Sequence, residues 1–213
     1  MPRPDRDERE QQIEAAAYRL LEGRGFAATG MRMIAQEAHA SIETLYRWYG
    51  DKTGMFAALI ARNAAEVGDV LDGMLDQDAR ATAVLARAGP ALLTMLLGER
   101  AVALNRAAAA DATATLGPIL AREGRDAMAP RIADIMARAL AAEEFGPRRD
   151  EPSPQPADLA ELWLTLLIGD LQIRRVTGAI GPLSPDEIAR RSDAALACLG
   201  RLYPARPAAR DGG

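Results

Sequence analysis

The chain has 213 residues, which is enough for one small domain and one larger one. Its formal net charge is −4, and its first 52 residues hold eight Lys or Arg against nine Asp or Glu, so bulk charge does not indicate a nucleic-acid partner. Aromatic residues make up only 4% of the chain, and no alternating run of β-branched residues occurs. This composition predicts an all-α fold with little or no sheet.

Several classes of protein are disfavoured at this stage. The longest apolar stretches, 88–98 and 162–169, are shorter than the roughly 18 residues that a membrane span needs. The charged N-terminal segment has no apolar run typical of a signal peptide, and the single Cys198 cannot form an internal disulfide, so we expect a cytoplasmic protein. His39 is the only histidine, so we predict neither a metal site nor a cofactor.

Apolar residues recur at helical spacing along most of the chain and predict about nine helices. Several helix starts carry capping signals: Asp7 with Glu10, Ser41, Asp51, and Ser184 with Glu187. Pro and Gly residues interrupt two of the helices and end others. The expected bounds are about 8–24, 31–38, 42–48, 52–75, 78–97 with a kink at Gly89 and Pro90, 99–115, 118–144 with a bend near Pro130, 157–179, and 184–203. A surface loop is predicted over 146–156.

Two short helices between longer ones have the spacing of a helix-turn-helix. The second, about 42–48, has one inward residue, Leu45, surrounded by hydrogen-bonding and aromatic side chains. A helix that only filled a core would bury more apolar residues than this. Short or polar residues at its N-terminal end suit contact with base edges, and the later Tyr, Trp and Arg suit contact with phosphates.

The same segment resembles the DNA-binding domain of the TetR family over about residues 10–60. The matching residues are Ile13, Glu14, Ala15, Ala16, Gly25, Phe26, Thr29, Ile34, Ala35, Ala38, Ser41, Thr44, Leu45, Tyr46, Tyr49 and Lys52. The resemblance implies a DNA-binding domain at 6–66, with its helix-turn-helix at about 29–49. It further implies a helical ligand-binding and dimerisation domain at 67–203, and we expect a disordered tail at 204–213.

The resemblance and the residue chemistry together nominate a set of DNA contacts. Tyr46, Trp48 and Tyr49 could instead pack between the short helices, and Arg32, Arg47 and Lys52 could be ordinary surface charges. The nominated residues are Thr29, Arg32, Ser41, Ile42, Glu43, Thr44, Tyr46, Arg47, Trp48, Tyr49 and Lys52.

The chain departs from the family pattern at three positions. His39 stands where the family often has Gly, in a turn that can require a left-handed backbone. Glu43 stands where a small residue is common and could accept a hydrogen bond from a cytosine amino group, which would narrow the choice of operator. Gly30 stands where a hydroxyl residue is common, which leaves Thr29 as the expected helix cap and phosphate contact.

The last two predicted helices carry wide apolar stripes, which predict a four-helix dimer interface. Trp163 could instead line a ligand pocket, although core or interface is favoured. The pocket residues themselves cannot be assigned, and Cys198 is expected to be a buried small side chain. The predicted interface residues are Leu159, Leu162, Trp163, Leu166, Ile188, Ala195, Leu199 and Leu202.

The resemblance implies a homodimeric repressor of a near-palindromic double-stranded operator, released by an apolar or amphipathic small molecule. Two alternatives remain open from the residues alone. One is a helical ligand-binding module without DNA binding, supported by the neutral charge of the N-terminal segment. The other is a helical enzyme, which the chain disfavours because it offers no Ser-His-Asp set, phosphate-cradling loop or supported pair of catalytic carboxylates.

Overall fold

The computed structural model describes residues 6–75, 80–147 and 152–205, and every regular element in these ranges is helical. The all-α prediction is therefore confirmed, with eleven α-helices and one π-helical turn in the described ranges where about nine helices were predicted. The elements are α1 (Arg6–Ala28), α2 (Met31–Glu37), α3 (Ile42–Tyr49), α4 (Lys52–Leu75), α5 (Ala81–Leu97), α6 (Glu99–Ala109), α7 (Leu116–Leu120), the π-turn (Ala121–Arg125), α8 (Asp126–Ala141), α9 (Pro156–Ile168), α10 (Leu171–Val176) and α11 (Pro185–Leu202).

The first apolar core holds α1 to α4 together, and α6 and α7 complete it. Leu45 is the one fully buried side chain of α3, and Phe56 and Leu59 of α4 pack into the same core. Leu104 and Ala107 of α6 belong to it as well. The N-terminal helices are therefore packed directly against α6 and α7, which lie outside the predicted DNA-binding domain.

The second core lies between α4, α5, α8, α9 and α11. Trp163 and Leu167 of α9 and Leu199 of α11 are fully buried in it. α5 and α11 approach each other most closely at Gly89, where an added Cβ would lie 2.0 Å from the Ser192 hydroxyl oxygen. Gly89 is thus needed for close packing, and Pro90 follows it within one continuous helix.

Local capping signals in the sequence are mostly confirmed. The Ser41 hydroxyl accepts from the Thr44 amide, and Asp51 accepts from the Gly54 amide at 2.8 Å at the start of α4. Ser184 and Glu187 form the predicted capping box of α11. The Asp7 prediction is wrong, because α1 already includes Arg6 and Asp7 lies inside its first turn.

The structure also differs from the predicted helix bounds. The helix expected over 157–179 is two helices, because the chain turns at Gly169, whose φ is +51°. α6 ends at Ala109 rather than near residue 115, and Asp111 accepts hydrogen bonds from the backbone amides of Thr115 and Leu116 at the start of α7. Most of the predicted tail and the middle of the predicted 146–156 loop lie outside the described residues.

No single helix in the described ranges is long and apolar enough to cross a membrane. α5 and α6 would pass by length and composition only if taken together, and they are bent by 54° at their junction.

Candidate nucleic-acid interface and ligand pocket

α3 has the geometry of a helix that presents one face outward. Leu45 alone is buried, whereas Glu43 and Arg47 are exposed and Tyr46 is 53% exposed. Ile42 and Thr44 are half-buried, and Arg32 on the neighbouring α2 is exposed. The exposed ring of Tyr46 is therefore available to a partner.

The N-terminal end of α3 has a side-chain cap and two hydroxyl groups at the protein surface. Ser41 accepts from the Thr44 amide at 3.0 Å, and the Ser41 and Thr44 hydroxyls lie 2.8 Å apart. Both groups are at the surface. The N-terminus of α3 therefore offers short hydroxyl side chains and a positive helix-dipole end, which suit contact with an anion or a base edge.

The turn between α2 and α3 has the backbone that the sequence departure at His39 suggested. His39 has φ +50°, in the left-handed region where Gly is favoured. The Ala40 amide donates to the Ala35 carbonyl at 2.9 Å, and the Arg9 guanidinium donates to the Ala38 carbonyl at 3.4 Å. These bonds fix the angle between the two short helices.

Thr29 does not have the role predicted for it. Its hydroxyl donates to the Gly25 carbonyl at 2.8 Å and lies 3.3 Å from the Leu20 carbonyl, and the residue is buried. The N-cap of α2 is Gly30, without a side-chain cap. We therefore remove Thr29 from the expected DNA contacts, because its hydroxyl stabilises the C-terminal end of α1, where Gly25 interrupts the helix with φ +74°.

Tyr49 and Trp48 are turned towards the domain interior. The Tyr49 hydroxyl is buried without a hydrogen-bond partner in the described part of the chain, and burial together with nearby Glu14 raises the pKa of Tyr49 to about 12. The half-buried Trp48 ring carries the Arg6 guanidinium 5.6 Å from its centroid. The packing alternative holds for the Tyr49 hydroxyl, which cannot reach a phosphate in this conformation.

Lys52 is held by the protein at the start of α4. Its ammonium lies 4.0 Å from the centre of the Phe26 ring and donates to the Ala27 carbonyl at 3.3 Å. Partial burial lowers the pKa of Lys52. A phosphate contact by Lys52 would have to replace these internal contacts, so its nomination as a DNA contact stays a prediction.

A charged cluster that the sequence analysis missed joins α1 to α4 beneath α3. The Arg62 guanidinium lies 2.8 Å from Glu10 and 3.4 Å from Glu14. Burial raises the pKa of Glu14, and Arg62 partly offsets that effect. Arg62 is 52 positions from Glu10 in the sequence, and both helices carry many other charges, so only the fold identifies Arg62 as the partner of Glu10 and Glu14.

Half of the predicted dimer residues are buried within the protomer itself. Leu159, Trp163, Ala195 and Leu199 are part of the second core, and Trp163 does not line the pocket described below. The prediction is wrong for these four, because α5, α8, α9 and α11 cover one another's apolar stripes. Leu162, Leu166, Ile188 and Leu202 are only half-buried, and Cys198 is half-buried rather than buried.

A cavity of about 500 Å³ lies between the two cores. Such a volume is in the range of small-molecule sites. Most of its walls are apolar, and its uncharged polar side chains come from four different helices. The lining residues include Ile60, Asn63, Leu92, Met95, Leu104, Asn105, Leu120, Gly124, Arg125, Met128, Leu164, Thr165, Ile168 and Gln172. The sequence alone could not group residues from so many helices.

Two residues belong both to the pocket wall and to the core of the N-terminal helices. Ile60 of α4 and Leu104 of α6 line the cavity and are buried in the first core. A molecule that fills the cavity therefore contacts the same side chains that support α1 to α3. This shared wall connects the pocket to the core that also contains Leu45 of α3.

The π-turn forms another part of the wall. Ala121, Gly124 and Arg125 line the cavity. A π-helical turn is rare and is often kept at functional sites. The Arg125 side chain is 60% exposed and forms an ion pair with Glu161 at 2.6 Å.

Comparison with known proteins agrees with this geometry. The family model described as bacterial regulatory proteins of the tetR family matches residues 13–59, which span α1 to α3 and the first part of α4. A comparison with curated protein sequences gives no match. No group of three or more metal-binding side chains occurs in the described ranges.

Solved structures share the whole fold. One is a protein described as a TetR-family transcriptional regulator from Mesorhizobium loti, with a TM-score of 0.75 and 21% identity over 94% of this chain and 99% of that one. FadR from Bacillus subtilis, in complex with stearoyl-CoA, has a TM-score of 0.65 and 14% identity over 89% and 97%. FadR from Thermus thermophilus, a TetR-family repressor in complex with lauroyl-CoA, has a TM-score of 0.62 and 18% identity over 96% and 100%.

The helix-turn-helix segment therefore matches the family model of bacterial regulatory proteins of the tetR family over residues 13–59, and the complete helical arrangement is similar to solved structures described as TetR-family regulators.

Proposed function

We propose that this chain is a regulator of the TetR family, and that it is a repressor that occupies a near-palindromic operator as a homodimer and is released when a small molecule enters the pocket. The exposed face of α3, with Ser41, Glu43, Thr44, Tyr46 and Arg47, is the surface that reads the operator. Ile42 and Arg32 flank it. Phosphate contacts come from the hydroxyls and the guanidinium groups, and the choice of sequence comes from the N-terminal turn of α3.

The observation that carries the proposal is the wall shared by the pocket and the first core. Ile60 and Leu104 touch both, so the position of a ligand and the position of the reading helix are mechanically linked. A ligand shifts the protein only by its difference in affinity between the two states, typically about 1–3 kcal/mol. That difference is enough to lower operator affinity between about 5- and 150-fold.

Dimerisation would place two copies of α3 one DNA turn apart, about 34 Å. We assign this contact to the outer faces of α9 and α11. Four apolar side chains on these helices are only half-buried in the protomer and could be covered by a partner: Leu162, Leu166, Ile188 and Leu202. A self-complementary contact of two such helices is typical of two-fold symmetric proteins. The dimer sets the spacing of the reading helices, and the ligand changes it.

The effector that fits this pocket is an apolar or amphipathic small molecule. Its walls are mostly apolar, with a few polar side chains at separate points. Two proteins of similar fold hold acyl-CoA thioesters, which are amphipathic.

A DNA-binding measurement tests the proposal. Fluorescence anisotropy with labelled DNA from upstream of the chain's own gene should give a specific complex that the same length of unrelated DNA does not give. Tyr46→Ala should abolish the specific complex and leave the melting temperature nearly unchanged, because the side chain is largely exposed. Tyr46→Phe keeps the ring and separates the role of the hydroxyl.

The result that contradicts the proposal is equally clear. If the variant and the wild type bind the operator with the same affinity, α3 does not read DNA through Tyr46. If Tyr46→Ala lowers the melting temperature by many degrees, Tyr46 supports the fold and the interface must lie elsewhere. Wild-type protein with no specific binding would favour the alternative of a ligand-binding module that does not bind DNA.

A further inference from the structure

One polar side chain in the pocket is buried but has no partner. Asn63 of α4 lines the cavity and is only 9% exposed. Among the described residues its amide makes no hydrogen bond. The nitrogen and oxygen of this amide are not fully enclosed by the protein, so they are available to a molecule in the cavity.

Apart from Arg125, the other polar side chains in the described wall of the pocket are also uncharged. Asn105 of α6 donates its amide hydrogen to the Ala101 carbonyl at 2.8 Å, which leaves its side-chain oxygen as an acceptor towards the cavity. Thr165 and Gln172 come from α9 and α10. The cavity thus offers both donors and acceptors without a formal charge, and an amide can satisfy either kind of ligand group.

Charge enters the lining at a single described residue. Arg125 is that residue, and its guanidinium is already paired with Glu161 at 2.6 Å and 60% exposed to water. A carboxylate ligand would have to break this pair to gain a cation, and a cationic ligand would find no carboxylate among the described lining residues. Either charge would lose its hydration without a full replacement.

We propose that the group a ligand places inside this pocket is uncharged, and that Asn63 is the side chain that binds it by exchanging hydrogen bonds with a carbonyl, amide or hydroxyl. The proposal rests on the proposed function, because it names the chemistry of the effector that releases the operator. The apolar part of the ligand lies against the wall that includes Ile60, Leu92 and Leu104. Asn63 sits one helical turn from Ile60 on α4, so the bound group is held beside the wall shared with the first core.

A series of three probes with one apolar chain isolates the charge. Decanamide, decanoate and decylammonium have nearly the same shape, and at about pH 8 the second is an anion and the third a cation. Titration calorimetry and the rise in melting temperature both report binding to the full-length protein. Decanamide should bind at least about tenfold more tightly than either charged probe.

Variants of Asn63 test the assigned side chain. Asn63→Leu keeps a similar volume in an apolar setting and should lower decanamide affinity about three- to tenfold, the value of one hydrogen bond. Asn63→Asp should shift the preference towards decylammonium. Gln11→Glu adds the same charge on the exposed surface of α1, and it should leave the order of the three probes unchanged.

Several outcomes overturn the inference. Decanoate binding as tightly as decanamide would show that Arg125 or another cation selects an anion, and equal affinity of Asn63→Leu and wild type for decanamide would remove Asn63 from the site. Binding by none of the probes would also overturn it. The same samples with labelled operator separate the two proposals. Release of the operator by decanoate would support the repressor proposal and refute the proposal of an uncharged ligand. Tighter binding of decanamide than of the charged probes, without release of the operator, would support the uncharged ligand and refute the repressor proposal.

Discussion

Arg62 is the residue whose removal tests the electrostatics of the N-terminal domain most sharply. It lies between Glu10 and Glu14, with side-chain exposures of 41% for Arg62, 19% for Glu10 and 12% for Glu14. Removing one partner of a fully buried pair costs about 3–5 kcal/mol, and removing an exposed one costs about 0–1 kcal/mol. Because Arg62 is partly screened by water, we expect Arg62→Met to lower the free energy of unfolding by about 1–3 kcal/mol at neutral pH.

The pH dependence identifies the cause. Burial raises the pKa of Glu14 above its ordinary value of 4.5, so the folded protein loses stability as the pH rises through that raised pKa. Without Arg62 the pKa of Glu14 rises further and the loss grows. The deficit of Arg62→Met relative to wild type should therefore be largest at neutral pH and shrink as acidification protonates Glu14.

Denaturant unfolding at neutral and acidic pH measures both quantities. Arg19→Met is the matched control, because Arg19 pairs with Glu37 at 3.1 Å with exposures of 58% and 44%, and its loss should cost at most about 0.5 kcal/mol. Glu14→Gln added to Arg62→Met should recover most of the deficit. A deficit no larger than that of Arg19→Met, or one that stays constant on acidification, would refute the reasoning.

The remaining predictions concern the two cores. Leu199→Glu should unfold the protomer, because Leu199 is fully buried, whereas Leu166→Glu should leave the protomer folded and shift a dimer to monomer in sedimentation velocity. A Leu199→Glu variant that is folded and monomeric would show that Leu199 lies in the dimer interface, as the sequence predicted. Leu104→Ala should cost about 2–5 kcal/mol in denaturant unfolding and raise the effector concentration needed for operator release, and an unchanged effector response would deny the shared wall. Burial alone would raise the pKa of Glu144, but hydrogen bonds from Thr82 and the Ala81 amide outweigh this effect and lower that pKa. Glu144 should therefore stabilise the start of α5 at pH values above its unfolded pKa. This stabilisation should be lost as the pH falls through the folded pKa. Glu144→Gln should remove most of this acid dependence in a pH series of melting temperatures.

Local chemistry was readable from the sequence wherever a single segment decides the structure. Ser41, Asp51 and Ser184 cap helices because their side chains bond to amides three residues away, and no distant part of the fold is needed. The left-handed backbone at His39 was suggested by the resemblance, because the TetR family often has Gly at this position. The exposed face of α3 was predicted on the same local basis.

Features that depend on which helices meet were not readable. Leu199 and Trp163 looked like members of an outward stripe, but they are covered by helices of the same chain from two sides. The break at Gly169 is hidden among apolar residues whose spacing is compatible with one continuous helix. The pocket combines side chains from α4 to α10, and the partners of Arg62 are about fifty positions away, so neither could be assembled from spacing along the chain.

The wall shared by the pocket and the first core has a consequence for how this regulator can change over evolution. Ile60 and Leu104 belong to the first core and to the pocket wall, so under the proposed function they would both support the DNA-reading helices and contact the effector. A substitution that adapts the pocket to a new compound also changes the stability of the reading head, often by more than about 1 kcal/mol. We therefore expect new effector specificities to arise first through substitutions at Thr165 or Gln172, because these residues line the pocket and lie outside the first core.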